Sequence, residues 1–244
     1  MDYIISLMRV GRYIHDFFWD MRLNINTRGT VKQKDLISYN QDHVQCVSTA
    51  YYVLIKIFKK ISIKKTDIFA DYGCGKGRVL CFAARFPFKK IIGIEVYPEI
   101  ASIAVKNSQR VRNRNSRIEI YENDVLDFDC KNVTVFFFFN PFGAKTMKSV
   151  LMRIHTSLLN NPRHIQIIYF NPTQAALFGA CNWLDKRDDL CYKRRAKDVV
   201  QFYENKSIIF PPEAMLNPKL SIINDKIQLS DFVGEMEPSY HLVL

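Results

Sequence analysis

Asp71, Gly73, Gly75 and Gly77 fall at alternate positions at the end of the apolar run Ile68-Phe69-Ala70. This spacing describes an acidic strand end followed by a glycine turn that opens a helix. Alternate glycines let the backbone reverse tightly and let a ligand lie against the main chain, while the free amides of the helix entrance face it. A helix entrance alone favours an anion. The Asp71 carboxylate changes the ligand class, because it repels a pyrophosphate and attracts an amino group. Glu95 closes the apolar run Ile91-Ile92-Gly93-Ile94, 22 residues after Gly73, where a second strand end offers a carboxylate to two ribose hydroxyls. A third run, Ile118 to Tyr121, leads into Asn123-Asp124-Val125, and an Asp there can accept from an adenine amine.

These groups suit S-adenosylmethionine, whose ammonium and sulfonium are both positive, better than a nicotinamide dinucleotide. The dinucleotide fingerprint also requires glycine at the sixth position of its turn, and that position counted from Gly73 is Arg78. A plain tight turn explains a glycine-rich loop taken alone. Three acidic strand ends in order, at the pitch of successive βαβ units, make a stronger signal.

The candidate reacting groups are Asn140, Pro141 and Phe142, at the end of the apolar run Val133–Phe139. A side-chain amide oxygen and a nearby carbonyl can accept from an NH₂ group, and an aromatic face can hold a planar substrate or a developing cation. Methyl transfer depends on alignment and water exclusion and needs no dedicated acid or base. The reading points to a nitrogen acceptor. Asn-Pro is also an ordinary turn after a strand, and it recurs at Asn171-Pro172.

The elements that must position these residues follow from periodicity. Strands are expected over 67–71, 91–95, 118–122, 133–139, 165–170, 188–195 and 199–210, with helices near 77–86, 98–111 and 144–159. The expected fold is α/β: a Rossmann-like, mostly parallel seven-stranded sheet flanked by helices. Val44, Val47, Tyr51, Leu54, Ile55, Phe58 and Ile61 recur every three or four residues and make an amphipathic helix that packs on the domain. The expected organisation is an N-terminal helical cap over 1–60, a ligand-binding domain over 61–210 and a C-terminal extension over 211–244. His43, Ser48, Thr49, Tyr51 and Tyr52 lie on the cap helix or its approach, either at a substrate mouth or in core and capping roles.

The 244 residues carry a net charge of +11. Lys106, Arg110, Arg112, Arg114 and Arg117 form one basic cluster, and Lys186, Arg187, Lys193, Arg194, Arg195 and Lys197 surround another. Such patches attract phosphates or acidic lipids, although the first also reads as a solvated helix end without interleaved aromatic rings. Six cysteines show no C-x-x-C spacing, which suits a reducing, cytoplasmic setting and provides no zinc quartet. Charged residues interrupt the apolar N-terminus, so neither a signal peptide nor a membrane span fits, and peripheral membrane contact stays open.

The segment Asp71-Tyr72-Gly73-Cys74-Gly75-Lys76-Gly77 resembles the first motif of the class I S-adenosylmethionine-dependent methyltransferases, and Glu95 and Asp124 fall where the second and third motifs lie. Gly75-Lys76-Gly77-Arg78, Phe86-Pro87-Phe88-Lys89, Gly93-Ile94-Glu95 and Phe139-Asn140-Pro141-Phe142-Gly143 resemble a bacterial methyltransferase-like group over roughly residues 17 to 172. The resemblance implies S-adenosylmethionine as cofactor, held by Asp71, Tyr72, Gly73, Gly75, Gly77, Glu95, Asp124 and Val125. Asn140-Pro141-Phe142 is similar to the Asn-Pro-Pro-Tyr motif of methyltransferases acting on adenine or glutamine amides, with one proline and one residue fewer. Asn-Pro-Phe-Gly is also similar to the Asn-containing loop of the non-SET histone lysine methyltransferases. The expected acceptor is an amine or amide nitrogen of a protein or small molecule. The alternatives are a nucleic-acid base reached through the basic patches, and a non-catalytic scaffold of the same fold.

Overall fold

Phe136, Phe137 and Phe138 form the centre of the molecule, each with no exposed surface. A computed structural model describes residues 2–29, 47–191 and 199–206. These phenylalanines belong to a strand flanked by neighbours on both edges and covered on both faces, which is why its sequence is continuously apolar rather than alternating.

The sheet has seven strands: β1 (Ile68–Tyr72), β2 (Lys90–Glu95), β3 (Ile118–Glu122), β4 (Val135–Phe139), β5 (Gln166–Phe170), β6 (Leu184–Cys191) and β7 (Val199–Asn205). Their order is β3-β2-β1-β4-β5-β7-β6. The strands from β3 to β5 pair in parallel, and β7 runs antiparallel to both β5 and β6. The order reverses between β1 and β4, and a crevice opens beyond the carboxyl ends of strands at such a switch point.

The helices are α1 (Asp2–Leu23), α2 (Tyr51–Lys60), α3 (Arg78–Ala83), α4 (Pro98–Arg110), α5 (Ala144–Asn160) and α6 (Ala175–Gly179). Strand alternation divides the core. Phe69, Ile91, Phe137 and Ile168 pack with Leu54 and Phe58 of α2 and with Leu80 and Phe82 of α3. Tyr72, Ile94, Phe136 and Phe138 pack on the other side with Met147, Val150, Leu151, Ile154 and Leu158, the apolar face of α5.

Several expected elements are displaced. The strand expected over 188–195 begins at Leu184 and ends at Cys191, paired from Leu184 with Asn205 to Cys191 with Val199. It is an edge strand with mostly exposed, charged side chains, so no apolar alternation marks its start. Helix α6 was not expected, and α2 begins at Tyr51 rather than near Val44. The 192–198 segment, with Lys193, Arg194, Arg195 and Lys197, lies outside the described residues, as do His43, Cys46 and the 211–244 extension. No helix among the described residues is long and apolar enough to cross a membrane.

Candidate functional site

A crevice opens beyond the carboxyl ends of β1, β2 and β4. Asp71, Gly73, Gly75, Glu95, Asp124, Val125, Asn140, Pro141 and Phe142 all line it. Asp71 is 2% exposed, and no donor among the described residues bonds its carboxylate. Burial, and secondarily the nearby Glu95, hold its pKa well above the usual carboxylate range.

Glu95 is buried too, but its oxygens have partners. Oε2 accepts from the Gly75 amide at 2.9 Å and Oε1 from the Tyr97 amide at 3.2 Å. Burial raises its pKa while these amides pull the other way. The Ile94 carbonyl accepts from the Gly73 and Cys74 amides at 3.0 Å, so the end of β2 fixes the glycine turn at several points. Asp124 is half-buried, and its Oδ1 accepts from the Leu126 amide at 2.8 Å.

Tyr72 and Gly77 do not line the crevice. Tyr72 points to the opposite face of the sheet, among Phe128, Phe136 and Phe138. Gly77 caps α3 with a φ of 80°, and a Cβ on it would meet the Ala104 Cβ at 3.3 Å, so it serves the packing of the turn on α4. Gly73 has a φ of 81°, and a Cβ there would come 2.8 Å from the Pro141 Cβ. This close approach brings the β1 turn against the Asn140-Pro141 turn.

The ends of β4 and β5 are near-copies: Phe139-Asn140-Pro141 lies beside Phe170-Asn171-Pro172, with Phe139 in register with Phe170. The two rings stack with centroids 4.4 Å apart. Both asparagines are left-handed, with φ 41° at Asn140 and 54° at Asn171. The Thr173 hydroxyl donates to Asn140 Oδ1. A carbonyl oxygen has a second lone pair, so Asn140 can still accept from an acceptor's N–H. Phe142 lines the crevice, but it is 3% exposed and its ring packs edge-on against Phe138.

Sequence reasoning gave no specific role to two features of the crevice wall. Thr49 Oγ1 is buried without a hydrogen-bond partner among the described residues, and Thr49 lines the crevice. Arg78, which enters the sequence argument only as a departure from the dinucleotide pattern, is 5% exposed. Its Nε donates to Thr27 Oγ1 at 2.6 Å and its Nη1 to Asp16 Oδ2 at 3.0 Å, while Nη2 lies 3.6 Å from Asp20 Oδ1. Tyr51 donates to Asp20 Oδ1 at 2.6 Å, and the Arg78 guanidinium lies over its ring. Burial and the Asp20 charge push the Tyr51 phenol up. Asp16 and Asp20 on one face of an apolar segment were the available signal.

Among the described residues no group of three or more His, Cys, Asp or Glu side chains could hold a metal ion. Of the basic clusters, Lys186 pairs with Asp189 at 2.8 Å and Arg187 with Glu204 at 3.2 Å.

The fold is similar to the solved StiE O-MT fragment 961–1257, with a TM-score of 0.50 at 14% identity over 75% of this chain and 84% of that one. A histone-lysine N-methyltransferase, H3 lysine-79 specific, of Dictyostelium discoideum is 32% identical over 158 residues, 59% of this chain and 8% of that protein. A protein-lysine N-methyltransferase of Saccharolobus islandicus (strain REY15A) is 30% identical over 94 residues, 38% of this chain and 58% of that protein. The chain thus spans under two thirds of either relative's length. The profile of the family described as histone methylation protein DOT1 matches residues 31–162, more than half of the chain, and the chain belongs to that family, within the class I S-adenosylmethionine-dependent methyltransferases.

Proposed function

We propose that this protein methylates an amine nitrogen of a protein side chain, with S-adenosylmethionine as donor and lysine as the favoured acceptor. The observation that carries the reading is the Asp71 carboxylate, buried at the switch point with no donor beside it among the described residues. A buried carboxylate without a partner is costly, and a ligand cation removes the cost. The orphan Thr49 hydroxyl in the same wall points the same way. The residues therefore fit S-adenosylmethionine, which when bound supplies an electrophilic methyl carbon on a sulfonium.

In this reading Asp71 takes the ammonium, and the glycine-turn amides and Thr49 hydroxyl face the carboxylate of the methionine part. Glu95 accepts from the ribose hydroxyls, Asp124 from the adenine amine, and Val125 packs beside the base. Asn140 Oδ1, held by Thr173, accepts one N–H of the incoming amine and so orients its lone pair. Phe139 and Pro141 wall the reacting end and exclude water. The amine must arrive neutral, and its surplus proton leaves to solvent after transfer. A protein nitrogen is favoured because the relatives whose sequences match are protein-lysine methyltransferases.

Calorimetry with S-adenosylmethionine, followed by transfer of labelled methyl groups to lysine-bearing proteins, tests this. Micromolar binding that is lost in folded Asp71→Ala and Glu95→Ala variants, with label recovered as methyl-lysine, is the expected result. Absence of binding by the folded wild type sinks the cofactor site. Binding with label appearing only in nucleic acid sinks the acceptor assignment and revives the basic patches.

A further inference from the structure

Helix α1 packs Trp19 and Leu23 on the core and carries a second apolar face that points away from it. Two of its carboxylates face the protein: Asp16 and Asp20 are 8% and 2% exposed, and both meet Arg78. Val10 53%, Tyr13 60%, Ile14 48%, Phe18 61% and Met21 57% are exposed on the outer side. Val10, Ile14, Phe18 and Met21 recur at intervals of four, four and three residues, which places them in one stripe along the helix. Five of the nine large hydrophobic side chains that are exposed among the described residues belong to this one helix. Scattered exposure needs no explanation, but a contiguous stripe does.

The helix cannot roll to bury that stripe. Rolling would strip Arg78 of both carboxylates and Tyr51 of its acceptor, leaving buried charges uncompensated. The apolar face is therefore held outward by the same network that fastens α1 to the turn after β1.

What meets the face is indicated by its rim. The Arg22 guanidinium lies over the Trp19 ring on one flank, and the Arg28 guanidinium over the Phe17 ring on the other. Both arginines are exposed. Asp16 and Asp20 are the only acids between residues 10 and 29, so the exposed surface of that stretch carries cations and no anion. Arg85 adds to the Trp19 flank, and the neighbouring Arg22 charge contributes to lowering its pKa, after burial. The stripe is the outer ridge of a helix, with aromatic rings beside the cations. A ridge needs a yielding partner, and a bilayer surface provides one without a preformed groove. An apolar stripe rimmed by arginines whose stems can reach up to lipid phosphates is the pattern of a helix lying in a membrane interface.

We propose that α1 docks this protein on an anionic phospholipid surface, its Val10–Met21 stripe entering the acyl boundary and Arg22 and Arg28 meeting the phosphates. This surface is separate from the crevice and stands whether or not methyl transfer is the activity. Because Arg78 joins α1 to the glycine turn, lipid docking also sets the orientation of the crevice to the bilayer.

The test is flotation of the full chain with vesicles of phosphatidylglycerol and phosphatidylcholine, against vesicles of phosphatidylcholine alone. Two double variants accompany the wild type: Phe18→Ser with Met21→Ser, and Arg22→Gln with Arg28→Gln. Unchanged thermal melting and S-adenosylmethionine affinity establish that both variants keep the fold. The expected result is flotation with the anionic vesicles, weakened about tenfold or more by the apolar changes and about tenfold by the arginine changes. Wild-type protein that stays in the soluble fraction overturns the proposal. So does binding that survives the serine changes, which would locate the contact in another basic patch. Soluble self-association, or capture of an acidic protein, that is lost in the serine variant without lipid binding assigns the stripe to that partner instead.

Discussion

Two pairs of buried carboxylates lie on either side of the glycine turn, and one member of the second pair, Asp71, is treated unlike the other three. Asp16 and Asp20, beneath α1, are met by the Arg78 guanidinium, the Tyr51 hydroxyl and amide, and the Thr27 hydroxyl and amide. Asp71, in the crevice, is as buried as Asp20 and has no donor among the described residues, while its neighbour Glu95 is bonded by two amides of the turn. A carboxylate whose valence is filled by the protein is a structural part. One left empty costs the fold stability, and under the proposed function a cationic ligand offsets that cost.

The largest effect expected from that contrast is at Arg78. Arg78→Met strands Asp16 and Asp20 without a cation, and urea unfolding should show a loss of about 3–5 kcal/mol. Adding Asp16→Asn and Asp20→Asn to Arg78→Met should recover much of it, because the neutral set carries no uncompensated charge. A single variant as stable as the wild type would erase the contrast from the structural side.

At Asp71 the sign reverses. Asp71→Asn should weaken S-adenosylmethionine binding about a hundredfold, the loss of one charge-assisted contact, and yet raise the stability of the free protein. The native pKa of Asp71 is raised above its unfolded value, so its ionisation opposes folding. Below the ordinary carboxylate range both states hold the proton and the variant gains nothing. As pH rises through the unfolded value and then the raised native value, the wild type loses stability that the variant keeps. For the same reason a cationic ligand should displace a proton, and affinity should climb with pH over that interval. Urea melts and calorimetry at several pH values check both statements, and a variant that loses stability at high pH would make Asp71 a structural acid.

The sheet was legible in sequence where burial is two-sided or where an acid ends an apolar run. Val135–Phe139 is a strand by composition alone, and Asp71, Glu95 and Asp124 arrive at one crevice because consecutive βαβ units place their strand ends side by side. Legibility fails where long-range packing decides. Tyr72 follows Asp71 directly, and strand alternation sends it into the opposite core. Strand β6 is specified by its pairing with β7 rather than by its own charged side chains. No local pattern shows that Asp16 will meet Arg78, 62 positions away, or that Thr49 will find no partner among the described residues.

That orphan hydroxyl yields a smaller version of the Asp71 contrast. Thr49→Val keeps the shape and removes an unpartnered buried group, so the free protein should gain about 1 kcal/mol in urea unfolding. Affinity for S-adenosylmethionine should fall about fivefold if the hydroxyl serves the ligand. A gain in stability with unchanged affinity would leave Thr49 as a packing residue.

The smallest expected effect concerns the acceptor side, where Asn140 holds a left-handed φ ahead of Pro141. A residue before proline is restricted, and a left-handed asparagine there keeps its place only if its surroundings hold it. Thr173 provides that hold: its hydroxyl donates to Asn140 Oδ1, and the next amide, that of Gln174, donates to the Tyr169 hydroxyl at 3.1 Å. Thr173→Val keeps the volume and removes the donor, so kcat should fall about fivefold, one ordinary hydrogen bond, while KM for S-adenosylmethionine holds. Thr173→Ser restores the hydroxyl and should restore kcat. If valine lowered affinity for the cofactor instead, the β5 turn would belong to the cofactor side of the crevice, and the division between an empty acid at β1 and a held amide at β4 would have to be redrawn.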